Sequence, residues 1–503
     1  MEPIFQLRSS AFSLTDTFSN YKRLQSNYQV ELRKLKREIL SSEHRNIQKI
    51  YTSKDCEYSL NSSLEQDEAL SCIAKYLSSS RFEEKKKATI LIRKLLTSYH
   101  GRHEMKLISL DLLSHIKLWL NKLETTSLLY EASFMLANLS SADGCSSILV
   151  ENGFIPILIN LFDLSHEPTK DNAAWALANI GIDCKEYRDK IVESQGLEVI
   201  LCTAKTTKNP EVLEDCIWSL ASLCKVIPIL DYKYIKDIAY FFSEVFENCE
   251  NVQVNEDIIW TLSNAYEKCP EIEFLCSEKI IKKLCAYSNS KSHNLNLPSL
   301  RALGNVISKT QCFTQFIISC DFIAILSKHI ASSYFPCVKE SLFTLSNIII
   351  ESQEYLNVVL ASNIFPHIIS LSQSSNEGIQ IEAIWVLINS CSMSTKKNID
   401  RIIDLRLIEA LSNALMNNSS KIKLIALKSI DTILTLGDSY YTNSKTNEFI
   451  AQLELCRGLE IIENLAHCNI KEISSTAENI LKHSSIKKDE SLESNSMPQV
   501  FSL

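Results

Sequence analysis

Residues 171–183 read Asp-Asn-Ala-Ala-Trp-Ala-Leu-Ala-Asn-Ile-Gly-Ile-Asp. At 3.6 residues per turn, Ala173, Ala176, Leu177 and Ile180 share one face of a helix, while Asn172, Trp175, Asn179 and Asp183 fall together on another. A core accounts for the first face. Two carboxamides and a carboxylate on the second predict a surface that looks outward, into a groove. The pattern of an aromatic residue four before an Asn then recurs down the chain as Phe134/Asn138, Trp175/Asn179, Trp218/Ser222, Trp260/Asn264, Arg301/Asn305, Phe343/Asn347 and Trp385/Asn389. Ser222 and Arg301 stand in for Asn and the aromatic. The second members follow one another by 41, 43, 42, 41, 42 and 42 residues. Four of the five Trp occupy this one place and only Trp119 lies elsewhere, whereas packing alone would scatter them.

Helical patterns repeating every ~40–47 residues define the armadillo/HEAT class, in which no unit buries its own apolar face and neighbours complete the core. The 503 residues are therefore expected to form one all-α armadillo-repeat right-handed solenoid of about ten repeats, with a basic N-terminal arm. Nine Gly and ten Pro leave little material for sheets or phosphate loops. Seventeen Cys without a Cys-x-x-Cys pair read as reduced, mostly buried thiols, and neither zinc nor any other cofactor is expected. No secretory signal and no apolar run of ~18 residues is visible, so no membrane partner is expected. Gly-x-Ser-x-Gly, Gly-Lys-Ser/Thr and His-Glu-x-x-His are absent, which argues against an enzyme. His100 and His103 read as surface residues.

Residues 1–21 are Ser/Thr-rich and aperiodic, as a disordered tail is. Within 22–50, Leu32, Leu35 and Ile39 stand at helical spacing among Arg33, Lys34, Lys36 and Arg37, giving a basic amphipathic helix with net charge +5 over residues 22–49. Residues 51–66 are expected to be a linker, 67–482 the solenoid and 483–503 a second disordered tail. The first repeat, marked by Ala88, Leu91, Ile92 and Leu95, lacks the ladder. Between ladder helices a phrase recurs, as Glu151-Asn-Gly-Phe, Glu193-Ser-Gln-Gly and Ala361-Ser-Asn-Ile, in which Gly or Asn caps one helix before the next. The chain carries −8 overall and residues 50–503 carry −12. An acidic body predicts basic partners and argues against nucleic acid, and the arm predicts an acidic partner.

Four stretches occur in order: Val30-Glu-Leu-Arg-Lys-Leu-Lys-Arg-Glu ending in Arg45-Asn46-Ile47, the phrase at 171–183, Leu300-Arg-Ala-Leu-Gly-Asn, and Gly458-Leu-Glu-Ile-Ile-Glu-Asn-Leu. The set resembles importin-α (karyopherin-α) over about residues 21–482. The resemblance implies a nuclear import adaptor that holds Lys/Arg-rich nuclear localisation signals in an acidic Trp/Asn groove and shuttles between cytoplasm and nucleus. It implies a major site from Phe134, Asn138, Ser147, Trp175, Asn179, Asp183, Trp218 and Ser222, with Asp183 pairing the key lysine. The implied minor site takes Arg301, Asn305, Glu340, Phe343, Asn347, Glu382, Trp385 and Asn389, and a linker stretch takes Asp257, Trp260, Asn264 and Glu267. Lys22, Arg23, Arg33, Lys34, Lys36, Arg37 and Arg45 would form the importin-β-binding arm for an importin-β-like carrier. Residues 450–482 would meet a recycling exportin.

The implied chemistry is simple. Slots between parallel indoles accept the stem of a Lys or Arg, with ~0.5–2 kcal/mol of cation–π attraction per contact, and each Asn offers a donor and an acceptor to the ligand backbone. The chain departs from the family pattern in places. Phe134 and Phe343 replace Trp, Ser222 replaces Asn, and Asn264 stands where Tyr is usual. Glu43-His44-Arg45 replaces the Lys-Arg-Arg with which the arm would mimic cargo, so self-inhibition is expected to be weak. An armadillo scaffold outside transport is the alternative, although such grooves are lined with Lys and Arg rather than with carboxylates and indoles.

Overall fold

The computed structural model describes residues 63–96, 103–122, 126–142, 144–440 and 447–493. The expected N-terminal tail and the basic arm with Lys22, Arg23, Arg33, Lys34, Lys36, Arg37 and Arg45 lie outside the described residues. The described chain is helical and contains no strand. Ten helices carry the repeat's inner face: α1 Phe82–Leu96, α2 Thr126–Leu139, α3 Glu167–Asp183, α4 Pro210–Lys225, α5 Val252–Lys268, α6 His293–Lys309, α7 Phe335–Glu351, α8 Glu377–Ser392, α9 Ser420–Tyr440 and α10 Lys471–Glu493. The fold is thus an all-α armadillo-repeat fold.

The chain divides into two compact units, one of residues 1–241 with 251–261 and the other of 242–250 with 262–503. In the first unit α1 to α4 pack each on the next, and in the second α6 to α10 do the same. Ala173, Ala176, Leu177 and Ile180 are fully buried, as their spacing requires. In the atypical first repeat, Ala88, Leu91, Ile92 and Leu95 are buried likewise.

Local sequence sets where the ladder helices start and stop. Pro168 and Pro336 occupy the first turns of α3 and α7, where a missing N–H costs nothing. Both helices end at an extended residue, Cys184 or Ser352, and the Ser352 hydroxyl accepts the Tyr355 N–H to begin the next helix. Within the repeats a left-handed residue marks the turn into the middle helix: Asp111, Gly153 and Gln195 in the first unit, and Asp321, Asn363, Arg406 and Arg457 in the second. Gly or Asn was the expected occupant. The structure fills most of these places with larger side chains because the surrounding helices impose the turn. Gly304 has a different role: a Cβ there would lie 3.2 Å from the Phe343 ring, so its absence lets α7 seat against α6.

Three expectations are corrected here. The linker expected to reach residue 66 gives way to a helix, Ser63–Leu77, and α10 runs through Glu493 into the expected C-terminal tail. Helix α9 continues to Tyr440, and Glu448–Leu455 is helical again. His103 is 5 % exposed rather than superficial, and burial lowers its pKa, which keeps the imidazole neutral.

Candidate functional site

In the first unit the ladder face is more enclosed than its composition suggests. Asn172, Trp175 and Asn179 are 3 %, 4 % and 5 % exposed, while Asp183 at the last position of α3 is exposed. This corrects the outward-looking face: each repeat packs its ladder side chains on the preceding helix. Asn172 Nδ2 donates to Ser133 Oγ at 3.1 Å, and Asn179 Nδ2 donates to Ser140 Oγ at 3.2 Å and to the Ala137 carbonyl at 3.4 Å. Asn179 Oδ1 has no hydrogen-bond partner among the described residues, so the acceptor end of this carboxamide is unspent. Asn138 donates back to the Phe134 carbonyl of its own helix, and Ser147 to the Gly144 carbonyl.

The expected parallel indoles are also corrected. Trp175 and Trp218 meet edge to face, with centroids 5.8 Å apart and planes at 73°. The ring quadrupole favours that arrangement, and it closes the space between the two rings. Phe134, Trp218 and Ser222 are buried beside them in their helices.

The carboxylates of this unit differ in how they are met. The ladder-bearing stretch, α2 to α4 with residues 252–261, carries Glu131, Glu167, Asp171, Asp183, Glu211, Glu214, Asp215, Glu256 and Asp257 against only Lys170 and Lys225. Two of them are met by a cation from the preceding helix: Arg93 lies 3.1 Å from Glu131, and Lys225 lies 3.4 Å from Asp257. Trp260 is buried in the same turn as Asp257. Asp183 adds its charge to the open carbonyls and negative dipole end of α3. Acidic groups disfavour helix C-termini, so this spot concentrates negative potential facing water.

The second unit carries the same ladder with its charges arranged differently. Arg301 takes the aromatic place, and its guanidinium donates to Glu267 at 2.6 Å. Glu340 is buried beside Arg301 and Lys339; burial pushes its carboxyl up and those two cations pull it down. Lys339, the residue before Glu340, lies 3.6 Å from the Cβ position of Gly378, one turn before Glu382 on α8. Burial lowers the Lys339 pKa, and Glu382 and then Glu340 offset that effect. Glu382 itself is 0 % exposed. Among the expected minor-site residues, Arg301 is thus paired with Glu267, while Glu340 and Glu382 are buried, with Glu382 Oε1 making no hydrogen bond among the described residues.

The ladder carboxamides of this unit repeat the inter-helix bond, with Asn305 Nδ2 donating to the Ser263 carbonyl at 2.9 Å and Asn389 Nδ2 to that of Ser346 at 3.0 Å. Asn347 and Trp385 are buried and Phe343 is half-buried. Asn264 is 1 % exposed, and neither end of its carboxamide has a partner among the described residues. Such an orphan costs roughly 1–3 kcal/mol.

Aligning repeats on the ladder Asn reveals residues that single-residue reading passed over. Four positions after Asn179 comes Asp183; the same place after Asn264, Asn305 and Asn347 holds Lys268, Lys309 and Glu351. Lys309 Nζ donates to the Cys269 carbonyl at 2.9 Å, just beyond the C-terminus of α5, where a cation suits the helix dipole. Burial pushes the Glu351 carboxyl up to about 7, against a 2.9 Å bond donated by the Thr314 hydroxyl. Among the described residues no cluster of His, Cys, Asp and Glu is placed to hold a metal, and no single helix is long and apolar enough to cross a membrane. Burial pushes the Cys224 and Cys391 thiols up to about 12, so neither is a nucleophile at neutral pH.

Comparison with known proteins agrees with this architecture. The Armadillo/beta-catenin-like repeat family matches residues 143–181, which include α3 as far as Gly181. The chain is 23 % identical over 399 residues to importin subunit alpha-1b of Oryza sativa subsp. japonica, covering 78 % of this chain and 75 % of that one. It is 22 % identical over 400 residues to importin subunit alpha-3 of Arabidopsis thaliana, with the same coverage of each. An engineered protein of known crystal structure superposes with a TM-score of 0.66 at 20 % identity, over 82 % of this chain and 98 % of the other, and supports the fold alone. The low identity spread over most of the length is that of a divergent, importin-α-like chain.

Proposed function

We propose that this protein is a nuclear import adaptor that recognises Lys/Arg-rich localisation signals chiefly through its first unit. The observation that carries the reading is the exposed Asp183 at the C-terminus of α3, about two turns beyond Trp175 on the same face, where the ladder helices α2 to α4 and residues 252–261 hold nine carboxylates against two lysines. A lysine brought there gains a charge-assisted bond to Asp183 and the field of the α3 dipole. With the indoles closed on each other, the aromatic wall contributes the outer rim of the rings rather than a slot. Phe134, Asn138, Ser147, Asn179, Trp218 and Ser222 shape the surface around that charge.

Similarity to importin-α along most of the chain supports the remaining parts of this reading. Residues 22–50, with net positive charge, would recruit an importin-β-like carrier through Arg33, Lys34, Lys36 and Arg37, and residues 450–482 would meet a recycling exportin. The protein would then shuttle between cytoplasm and nucleus. A labelled Lys/Arg-rich peptide titrated against the full chain is expected to bind with Kd below about 0.1 mM, roughly −5.5 kcal/mol. Weaker binding removes the adaptor reading in favour of an armadillo scaffold with other partners.

A further inference from the structure

Arg188 is 2 % exposed, and its guanidinium spans the gap between two repeats of the first unit. It sits on the helix Lys185–Glu193, which begins two residues beyond Asp183. Nη1 donates to the carbonyls of Val226 and Pro228, each at 3.0 Å, and these are the first and third residues past α4. Nε donates to Asp189 Oδ1 at 2.7 Å. We infer that Arg188 is a positioning residue for the ligand: it fixes the end of α4, with Trp218 and Ser222, against the end of α3, with Asp183, so that one basic segment meets both. The inference rests on the adaptor reading above and deepens it.

A second contact fixes the same junction. A Cβ on Gly181, two residues before Asp183, would overlap Leu223 Cδ2 of α4 and lie 3.2 Å from Ile191 Cδ1 of the helix that carries Arg188. Bare backbone at Gly181 thus lets α3, α4 and that helix meet closely, and Arg188 ties the chain leaving α4 to them.

The clasp falls in one repeat only. Nine residues on from the ladder's Asn places stand Ser147, Arg188, Asp231, Glu273, Thr314, Leu356 and Asn398, so the one cation belongs to the repeat whose ladder helix ends in Asp183. Thr314 makes a neutral version of the reach, its hydroxyl donating to Glu351 of the following repeat at 2.9 Å. Stability alone is a poor reason for a guanidinium here. Burying a charge against two carbonyls and one half-buried carboxylate contributes little net free energy, and an apolar side chain of similar size often does as well. What the guanidinium adds is geometry, because its planar fork holds several acceptors in fixed directions and an ammonium does not. Its charge is met by Asp189, so the two together bring no net charge to the acidic ladder face.

Fluorescence anisotropy of a labelled peptide with one Lys/Arg cluster tests this on the full chain, at a temperature where thermal denaturation shows each variant folded. Arg188→Met is expected to weaken binding by roughly tenfold or more. In the Asp183→Asn background, where the two helix ends no longer share the ligand's charge, the same substitution is expected to cost less than about threefold, because the two residues act through one contact. A purely structural Arg188 would cost the same in both backgrounds, and that result overturns the inference. Binding by Arg188→Met within threefold of the original also overturns it. Should Arg188→Met not fold, Arg188→Lys, which keeps the charge without the fork, is judged by the same two criteria. If the unsubstituted chain binds no such peptide, the adaptor reading fails, and hydrogen exchange of the free chain judges the clasp alone. Arg188→Lys is then expected to speed exchange at residues 218–226 by about fivefold or more while α2 stays unchanged. No change at 218–226, or an equal rise in α2, overturns the clasp.

Discussion

The two units carry one ladder with opposite treatments of charge. In the first, carboxylates outnumber cations and one of them, Asp183, ends a helix in water. In the second, Arg301 pairs with Glu267 and acts with Lys339 on the buried Glu340, Lys309 sits at a helix end, and Glu351, which occupies the Asp183 place, is pushed up to about 7. An identical fold of repeats thus yields one stretch dominated by carboxylates and one with cations placed among them. A charged groove is defined by which of its charges the chain has left to a partner, and this is not visible from net charge alone.

The largest expected effect follows from Asp183. Asp183→Lys replaces attraction by repulsion at the dipole end of α3 and is expected to weaken a single-cluster basic peptide by roughly a hundredfold or more. The counterpart in the second unit, Glu351→Gln, is expected to leave that affinity within about threefold. If the Asp183 variant binds within threefold of the original, the difference drawn between the units is wrong.

Glu351 has a signature of its own in pH. Its carboxyl is held near 7 in the fold by burial, above its ordinary value of 4.5, so the folded state binds the proton more tightly than the unfolded chain does. Stability therefore falls as pH rises from about 4.5 to about 7 and is level above. Glu351→Gln removes this slope and keeps an acceptor for the Thr314 hydroxyl, so its Tm is expected to exceed the original by ~2–4 °C at pH 8 and to match it near pH 4.5. Equal pH profiles would place Glu351 in water, as Asp183 is.

The carboxamide bonds between repeats offer a smaller contrast. Asn389→Ala removes the bond to the Ser346 carbonyl and is expected to cost ~0.5–1.5 kcal/mol in denaturant unfolding. In the first unit Ser222→Asn should add the equivalent bond to the carbonyl of Ala178 and contribute a similar amount. No gain at Ser222 would mean that α3 and α4 are spaced too closely for the longer side chain. Smallest is the strain at the left-handed turns. Arg406→Gly relieves a positive φ at some cost in chain entropy and is expected to stabilise by no more than ~1 kcal/mol.

Much of the fold was legible because the repeat multiplies a weak signal. Trp175/Asn179 alone would say little, but seven versions at a near-constant interval leave no other class of fold. The apolar face of α3 was read directly from its spacing. The ladder face was misread because an Asn that donates to the preceding repeat looks, in sequence, the same as one that faces solvent; the partner of Asn179 lies 39 residues away at Ser140. Glu340 and Glu382 were read as ligand groups for the same reason, and both are buried. Glu351 could have been found by aligning the repeats on Asn, whereas its near-neutral carboxyl depends on burial that no alignment carries.

The central claim is that a basic ligand is held chiefly by the first unit, at the Asp183 end of α3. Hydrogen exchange followed by mass spectrometry reads this directly on the full chain, with and without a saturating peptide bearing two Lys/Arg clusters. Protection is expected across the C-terminal turns of α3 and α4, about residues 175–186 and 218–226, and less of it in α7 and α8. Protection of residues 335–392 equal to that of α3, or protection there alone, would contradict the account.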